Sequence, residues 1–289
     1  MNKLKFLKRK LFSFLGNIKY KYFIDFKRKF KFKDDLIKIE KKIKNKENFA
    51  FLRFSDGELF ILQNKKLVIS NNFWILDNVK KRVKFSKNEK KSFIPEKHKF
   101  YRDKLIQSYK FNKKNYFKGI SCSCCNGKND VNYMKSLSSL NKNFTFSNLL
   151  QNGNYPRFVK TILKLLKKRN VILIANKTSS IEYLPFKIKK KFSVGENCFI
   201  NDYSLIKKLK FYIKKFRIKN YIFLISASSL SNLIIYELFK ENSNNTYIDI
   251  GSTLNYYLNK KKISNSRSYL EEFWGEKKDI EYLNRNCYW

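Results

Sequence analysis

At 289 residues with 43% hydrophobic side chains, the chain can bury one large α/β core or two smaller ones, which excludes a disordered basic polymer. Its 64 Lys and Arg against 23 Asp and Glu leave a formal charge of +41, a balance that by itself raises nucleic acid or an anionic membrane as partner. The excess is mostly lysine, is spread along the chain, and comes with abundant Asn, Ile, Phe and Tyr but only 8 Gly and 3 Pro; A/T-rich coding accounts for much of it.

The chain opens on a lysine-rich arm, MNKLKFLKRKLFSFLGNIKYKYFIDFKRKFKFK, which has neither the long apolar core nor the small-residue cleavage site of a signal peptide. Leu4, Leu11, Leu15 and Ile18 recur at helical spacing among the lysines, with Phe6 and Phe12 near the same face. That pattern suits an interfacial helix on anionic lipid, and equally a helix packed on the following domain with its lysines solvated. No segment reaches the roughly 18 uninterrupted apolar residues of a membrane span. Residues 34–48 read as a charged helix, and Phe49 to Phe54 as the first core strand.

That strand runs into FLRFSDGELFIL, Phe51 to Leu62, where Asp56 and Glu58 flank Gly57 directly after the apolar run. Ligands of α/β proteins bind at the carboxyl ends of strands, and Gly57 lets the backbone turn tightly there. Two hard carboxylate ligands so close in sequence suit Mn2+ or Mg2+, which would in turn hold a diphosphate; Arg53 would screen the pair or reach a phosphate itself. The same residues also read as a solvated turn with a salt bridge. A short helix from Asp56 to about Gln63 would use the same oxygens as N-terminal caps, so capping and metal binding compete unless they fall to different residues.

Residues 64–95, with Trp74 and several lysines, show no sustained period and are expected to form a mobile excursion beside the site. Pro95 to Phe111 reads as a helix carrying the single histidine, His98, within the lysine-rich PEKHKFYRDK. A lone histidine with no nucleophile near it reads as a solvated helix residue and excludes a His-rich zinc site, so acid and base work falls to carboxylates. Asn115 to Ser121 is a predicted strand that delivers Cys122, Cys124 and Cys125 to a loop. With Cys198 and Cys287 far away, the five cysteines are an odd set without paired Cys-x-x-Cys spacing, which reads as reduced thiols and a cytoplasmic protein. Then follow a helix at Asp130 to Leu140, a strand at Phe144 to Ser147, and a helix entered at Pro156 and running to Lys168. Val171 to Ala175 is a strand, Asn201 to Phe216 a helix, Tyr221 to Ser226 a strand, Leu230 to Lys240 a helix and Thr246 to Ile250 a strand.

Two of these strand ends add candidate ligand groups. In SASSLSN, Ser226, Ser228, Ser229 and Ser231 would let a hydroxyl or the backbone meet nucleotide phosphates, or would cap the next helix. In YIDIGST, Asp249 is placed to accept hydrogen bonds from ribose hydroxyls and the Gly251-Ser252 turn to donate to an anion, unless the segment is simply a capped turn. Arg267 would neutralise a diphosphate. The late aromatics Phe273, Trp274, Tyr282 and Trp289 would stack on a sugar or be buried.

Strands separated by helical stretches favour right-handed βαβ units. The sequence therefore predicts a Rossmann-like α/β fold, a mainly parallel sheet flanked by helices, with residues 1–48 a basic helical N-terminal arm and residues 49–289 one domain.

RFSDGE, Arg53 to Glu58, resembles the Arg-Phe-Gly-Asp-Gly-Glu signature of the GT-D type bacterial glycosyltransferases, with Ser55 in place of a glycine. NGNYPRF (Asn152 to Phe158), the run from Phe223 to Leu258 and SRSY (Ser266 to Tyr269) are similar to later blocks of that family in the same order, together covering most of residues 49–270. The resemblance implies a catalytic domain that transfers a hexose from a nucleotide sugar, most simply a UDP-hexose, to a surface glycan or glycoprotein acceptor. Asp56 and Glu58 would serve the metal and diphosphate; Ser55, Gly57, Asn154, Tyr155 and Arg157 would join the donor or acceptor site. Glu58, Asp249 and Glu182 stay open as the base, and replacing Asp56 or Glu58 with alanine is expected to abolish transfer without unfolding. Such an enzyme would be cytoplasmic, touching the inner face of the membrane through its arm. The rivals are a non-enzymatic nucleic-acid-binding protein, which the acidic turn opposes by repelling phosphate, and a degenerate glycosyltransferase that partners an active one.

Overall fold

A computed structural model describes residues 32–70, 73–82, 90–121, 123–138, 143–263 and 268–275. In chain order its strands are β1 (Ala50–Phe54), β2 (Leu67–Ile69), β3 (Phe73–Leu76), β4 (Val79–Arg82), β5 (Lys91–Phe93), β6 (Tyr116–Ile120), β7 (Phe144–Phe146), β8 (Val171–Asn176), β9 (Ile188–Val194), β10 (Ile222–Ile225) and β11 (Thr246–Asp249). Seven of them form a parallel sheet in the order β7-β6-β1-β11-β10-β8-β9. This is the α/β architecture predicted. Strands β8, β10 and β11 are buried almost throughout, as expected where helices cover both faces of a parallel sheet and the strands read as continuous apolar runs.

Connection handedness decides which helix covers which face. The crossovers that step from β1 to β6, from β9 to β10 and from β10 to β11 run in one direction along the sheet, and their helices Pro95–Lys110, Leu205–Lys215 and Leu230–Glu241 pack together, the last of them lying on β1 and β11. The long step from β7 to β8 runs the other way. Its helical run, a 3-10 turn (Asn152–Asn154), an α-turn (Tyr155–Arg157), a π-segment (Phe158–Ile162) and a final α-turn (Leu163–Leu166), packs with the helix Phe32–Lys44. Leu36, Ile39 and Ile43 of that first helix are buried in the common core, and Thr145 Oγ1 donates to Asp35 Oδ2 at 2.8 Å. The described part of the N-terminal region is therefore built into the domain. The positions Leu4, Phe6, Leu11, Phe12, Leu15 and Ile18 lie outside the described residues. Among the described residues no helix is long and apolar enough to cross a membrane.

Three stretches depart from the sequence reading. Residues 64–95, expected as an excursion, hold an antiparallel sheet in the order β4-β3-β2-β5. Its strands of three or four residues are too short to establish a period, and lysines occupy several of their positions. The helix expected from Asp130 spans Ser123–Leu137, so Cys124 and Cys125 belong to a helix and not to a loop. Strand β9, IKKKFSV, was hidden by its charge: it is the edge of the large sheet, where lysines are tolerated and protect against further pairing. Lys118 of β6 is fully buried, and its Nζ donates to Tyr109 O at 2.7 Å and Phe111 O at 3.1 Å, satisfying carbonyls at the end of the helix Pro95–Lys110. Burial pushes this ammonium down to about 8.

Candidate functional site

The chain leaves β1 toward β6 and β7 on one side, while β11, the last strand, fills the other side of β1. Ligands of parallel α/β sheets bind outside the carboxyl ends of the strands, and here the ends of β1 and β11 lie side by side. The acidic turn after β1, the SASS turn after β10 and the Asp-Ile-Gly-Ser turn after β11 all converge on this edge.

Ser55 precedes the helix Asp56–Leu62, and its backbone N–H donates to Glu58 Oε2 at 3.1 Å, closing a capping box. Glu58 is only 8% exposed. Its Oε1 accepts from the Ser229 hydroxyl and lies 3.5 Å from Lys91 Nζ, which in turn donates to Ser229 Oγ at 2.5 Å. Burial alone would raise this carboxyl, but the Lys91 ammonium, the Ser229 and Ser55 donors and Arg53 outweigh it and hold Glu58 below the usual carboxylate value. Asp56 is exposed, with Oδ1 accepting from the Gly57 N–H at 2.9 Å. Capping thus falls to Glu58, which also pairs with Lys91, while the Asp56 carboxylate stays open to solvent. Gly57 sits in the first helical turn, where an added Cβ would stand 3.1 Å from Lys91 Nζ; its smallness accommodates that lysine.

At the end of β11, Asp249 is 6% exposed and accepts from the Gly251 N–H at 2.9 Å. Burial pushes its carboxyl up to about 7, against the Arg53 charge and backbone donors that favour ionisation and with Glu58 adding repulsion. Arg53 is fixed beneath the turn: its Nε donates to Ser147 O and its Nη2 to Gln151 Oε1 at 3.2 Å. Because the folded carboxyl binds its proton more tightly than the unfolded one, Asp249 makes stability fall as pH rises from about 3.8 to about 7, after which the loss is complete. Asp249→Asn is expected to remove this slope and to raise the melting temperature above pH 7; equal pH slopes for the two proteins in thermal denaturation would contradict it.

Ser226, Ser229 and Ser252 come to this edge but are already engaged. Ser226 donates to Gly251 O at 2.7 Å, and Ser229 is fully buried between Lys91 and Glu58. Ser252 Oγ accepts from Gln151 Nε2 at 3.1 Å and is 2.9 Å from Tyr269 OH. The NGNYPRF residues are drawn elsewhere. Asn154 donates to Leu149 O at 2.9 Å, Tyr155 is fully buried with its hydroxyl accepting from Trp274 Nε1, and Arg157 is exposed and paired with Glu40 at 2.9 Å. Trp274 stacks on Tyr256 at 4.2 Å, so this aromatic group is built as packing. Arg267, Tyr282 and Trp289 lie outside the described residues. Sequence reasoning missed Lys91, Gln151 and Asn232, whose Nδ2 donates to Arg53 O at 2.9 Å. One lysine among so many carries no local signal; Gln151, immediately before NGNYPRF, is the one that proximity to a quoted block could have flagged.

Among the described residues no three His, Cys, Asp or Glu side chains cluster to cage a metal ion. Lys91 takes the position on Glu58 that a cation would otherwise fill, which leaves the open carboxylate of Asp56. One carboxylate fits Mg2+ or Mn2+ where substrate phosphates and water supply the remaining oxygens. A cleft of about 450 Å3 lies at the opposite, amino edge of the sheet, lined by residues such as Lys214, Arg217 and Asn244, and has none of these carboxylates in its lining.

No protein-family model matches the chain, and no curated protein matches it in sequence. Among solved structures it is similar to a selenomethionine-substituted domain of unknown function 1792, at 12% identity and a TM-score of 0.53, over 84% of this chain and 87% of that one. It is also similar to a protein from Streptococcus sanguinis described as a new glycosyltransferase, at 13% identity and a TM-score of 0.52, over 84% and 91%. These likenesses establish a shared fold across most of both chains.

Proposed function

We propose that this protein is a metal-assisted glycosyltransferase that moves a hexose from a nucleotide sugar, in the first instance a UDP-hexose, to a glycan or glycoprotein acceptor in the cytoplasm. The observation that carries the reading is the open carboxylate of Asp56 at the carboxyl end of β1, beside β11, the strand that ends in Asp249. The fold shared with a protein described as a glycosyltransferase supports it.

In this reading the bond between the anomeric carbon and the diphosphate oxygen breaks, and negative charge grows on the departing nucleotide. A bound Mn2+ or Mg2+ supplies the Lewis-acid charge that stabilises that leaving group. Asp56 would hold the ion. Asp249 would accept hydrogen bonds from the ribose hydroxyls, an assignment that suits a carboxylate at a strand end and requires its ionised form. Arg53 supplies the counter-charge that keeps Asp249 ionisable and anchors β1 to the loop at Ser147. Glu58 is assigned a positioning part: held ionised by Lys91, it is a poor proton acceptor, and its capping box shapes the turn that presents Asp56.

The test is thermal stabilisation by a panel of UDP-sugars with and without Mn2+, on wild type and Asp56→Ala. A metal-dependent shift with one donor, lost in the variant, is expected, together with loss of transfer in Asp56→Ala. Undiminished turnover in that variant would remove the mechanism, and no shift with any donor would remove the assignment of a UDP-sugar.

A further inference from the structure

The helix Leu205–Lys215 buries Leu205, Ile206, Leu209 and Ile213 against the core. Its other face and the loop after it carry Lys207, Lys208, Lys214, Lys215, Arg217 and Lys219, all exposed, and residues 205–219 contain no acidic residue. None of these six is in an ion pair among the described residues; Lys210, which also lies in this stretch, is held by Glu237 and Glu241. Amid this charge stand Phe211, 64% exposed, and Phe216, 56% exposed. The two rings share one surface, because Lys215 Nζ is 5.7 Å from the centroid of each.

Charge alone would distinguish nothing in so basic a chain. The adjacent pair of solvent-exposed phenylalanines does, because apolar area left in water beside a ring of cations marks an interaction surface. The other large apolar side chains that stand out on the described surface, Val79, Phe100 and Ile181, come from three separate segments. We propose that this end of the helix docks on an anionic lipid bilayer, with Phe211 and Phe216 entering the boundary between headgroups and acyl chains and the lysines meeting the lipid phosphates. Long lysine side chains suit that arrangement, since their stems lie along apolar surface while the ammonium stays with the headgroups. The neighbouring cleft at the amino edge, lined by Lys214, Arg217 and Lys219, adds positive charge on the same side. The helix precedes β10 and ends at the amino edge of the sheet, so a protein docked there turns its carboxyl-edge crevice away from the bilayer. The inference does not depend on the glycosyltransferase reading.

The experiment is co-flotation of the full chain with phosphatidylcholine vesicles, with and without phosphatidylglycerol, for wild type, Phe211→Ser/Phe216→Ser and Lys214→Glu/Lys215→Glu. Wild type is expected to float only with the anionic vesicles, and each double variant to lose binding about tenfold while keeping the N-terminal arm. All altered side chains are exposed, so circular-dichroism melting curves should coincide, and the charge-reversal pair gives an independent reading if the serine pair does not fold. Variants that float like wild type would overturn the proposal by assigning binding to another segment. Failure of wild type to float, with Phe211-dependent binding of an RNA oligonucleotide in its place, would overturn it in favour of a nucleic-acid surface.

Discussion

Glu58→Ala is expected to destabilise the protein by about 3–5 kcal/mol, the loss typical of removing one partner from a buried ion pair. Lys91 is 7% exposed, and once Glu58 is gone its ammonium keeps, among the described residues, the Ser229 hydroxyl alone. The capping box at Ser55 is lost with it, which removes a further acceptor at the start of the helix Asp56–Leu62. Urea denaturation at pH 7 measures the effect. Asp56→Ala is the contrast: an exposed side chain whose removal should shift stability by no more than about 0.5 kcal/mol while abolishing the metal-dependent response. The sequence-based expectation that alanine at either position leaves the fold intact therefore separates into two outcomes. A Glu58→Leu/Lys91→Met double variant, in which neither charge is buried alone, should recover most of the stability lost in the single variant. Equal denaturation midpoints for Glu58→Ala and wild type would mean that the buried pair contributes nothing. Because the folded carboxyl of Glu58 is held below its unfolded value of 4.5, its contribution is present above that value and is lost as pH falls through the folded one.

Gly251→Ala is the second change with a large expected effect. Gly251 has φ of +47°, where an L side chain costs about 1–2 kcal/mol, and an added Cβ would stand 1.5 Å from Arg53 Nη1. That distance cannot be accommodated while Arg53 keeps its bonds to Ser147 O and Gln151, so the guanidinium must leave. Asp249 then loses its counter-charge and its carboxyl rises further. The combined destabilisation is expected to be about 3 kcal/mol, and under the proposed function the thermal shift with a UDP-sugar is lost at neutral pH. Repeating the substitution in an Arg53→Ala background separates the two causes: the steric part disappears and only the backbone part, about 1–2 kcal/mol, remains. A Gly251→Ala protein as stable as wild type would show that Arg53 does not occupy the space beneath the turn.

The predicted strands from Phe49, Asn115, Phe144, Val171, Tyr221 and Thr246 all form, with ends shifted by a residue or two, because each is a run of apolar side chains whose burial is favourable almost regardless of what covers it. The small sheet of residues 67–93 and the edge strand β9 were not legible, since short or lysine-bearing strands owe their existence to pairing partners and not to their own hydrophobicity. The candidate site divides in the same way. Asp56, Glu58 and Asp249 could be placed at strand ends from local pattern, and Gly251 at a turn.

Their states could not. Glu58 is buried and held ionised by Lys91, 33 residues on, and by Ser229, 171 residues on, whereas Asp56 in the same motif is exposed. Asn154, Tyr155 and Arg157 are engaged in backbone bonding, aromatic packing and an ion pair with Glu40, although their segment begins beside Gln151, which touches Arg53. The sequence by itself determined where most of the apolar surface would be buried, and hence six strands of the large sheet and the turns that end them, because those follow from local apolar runs. Only the tertiary structure decided which charges are desolvated together. The balance between the penalty of burying an ion and the attraction of a partner depends on distances between segments far apart in the chain, and residue type carries no record of them.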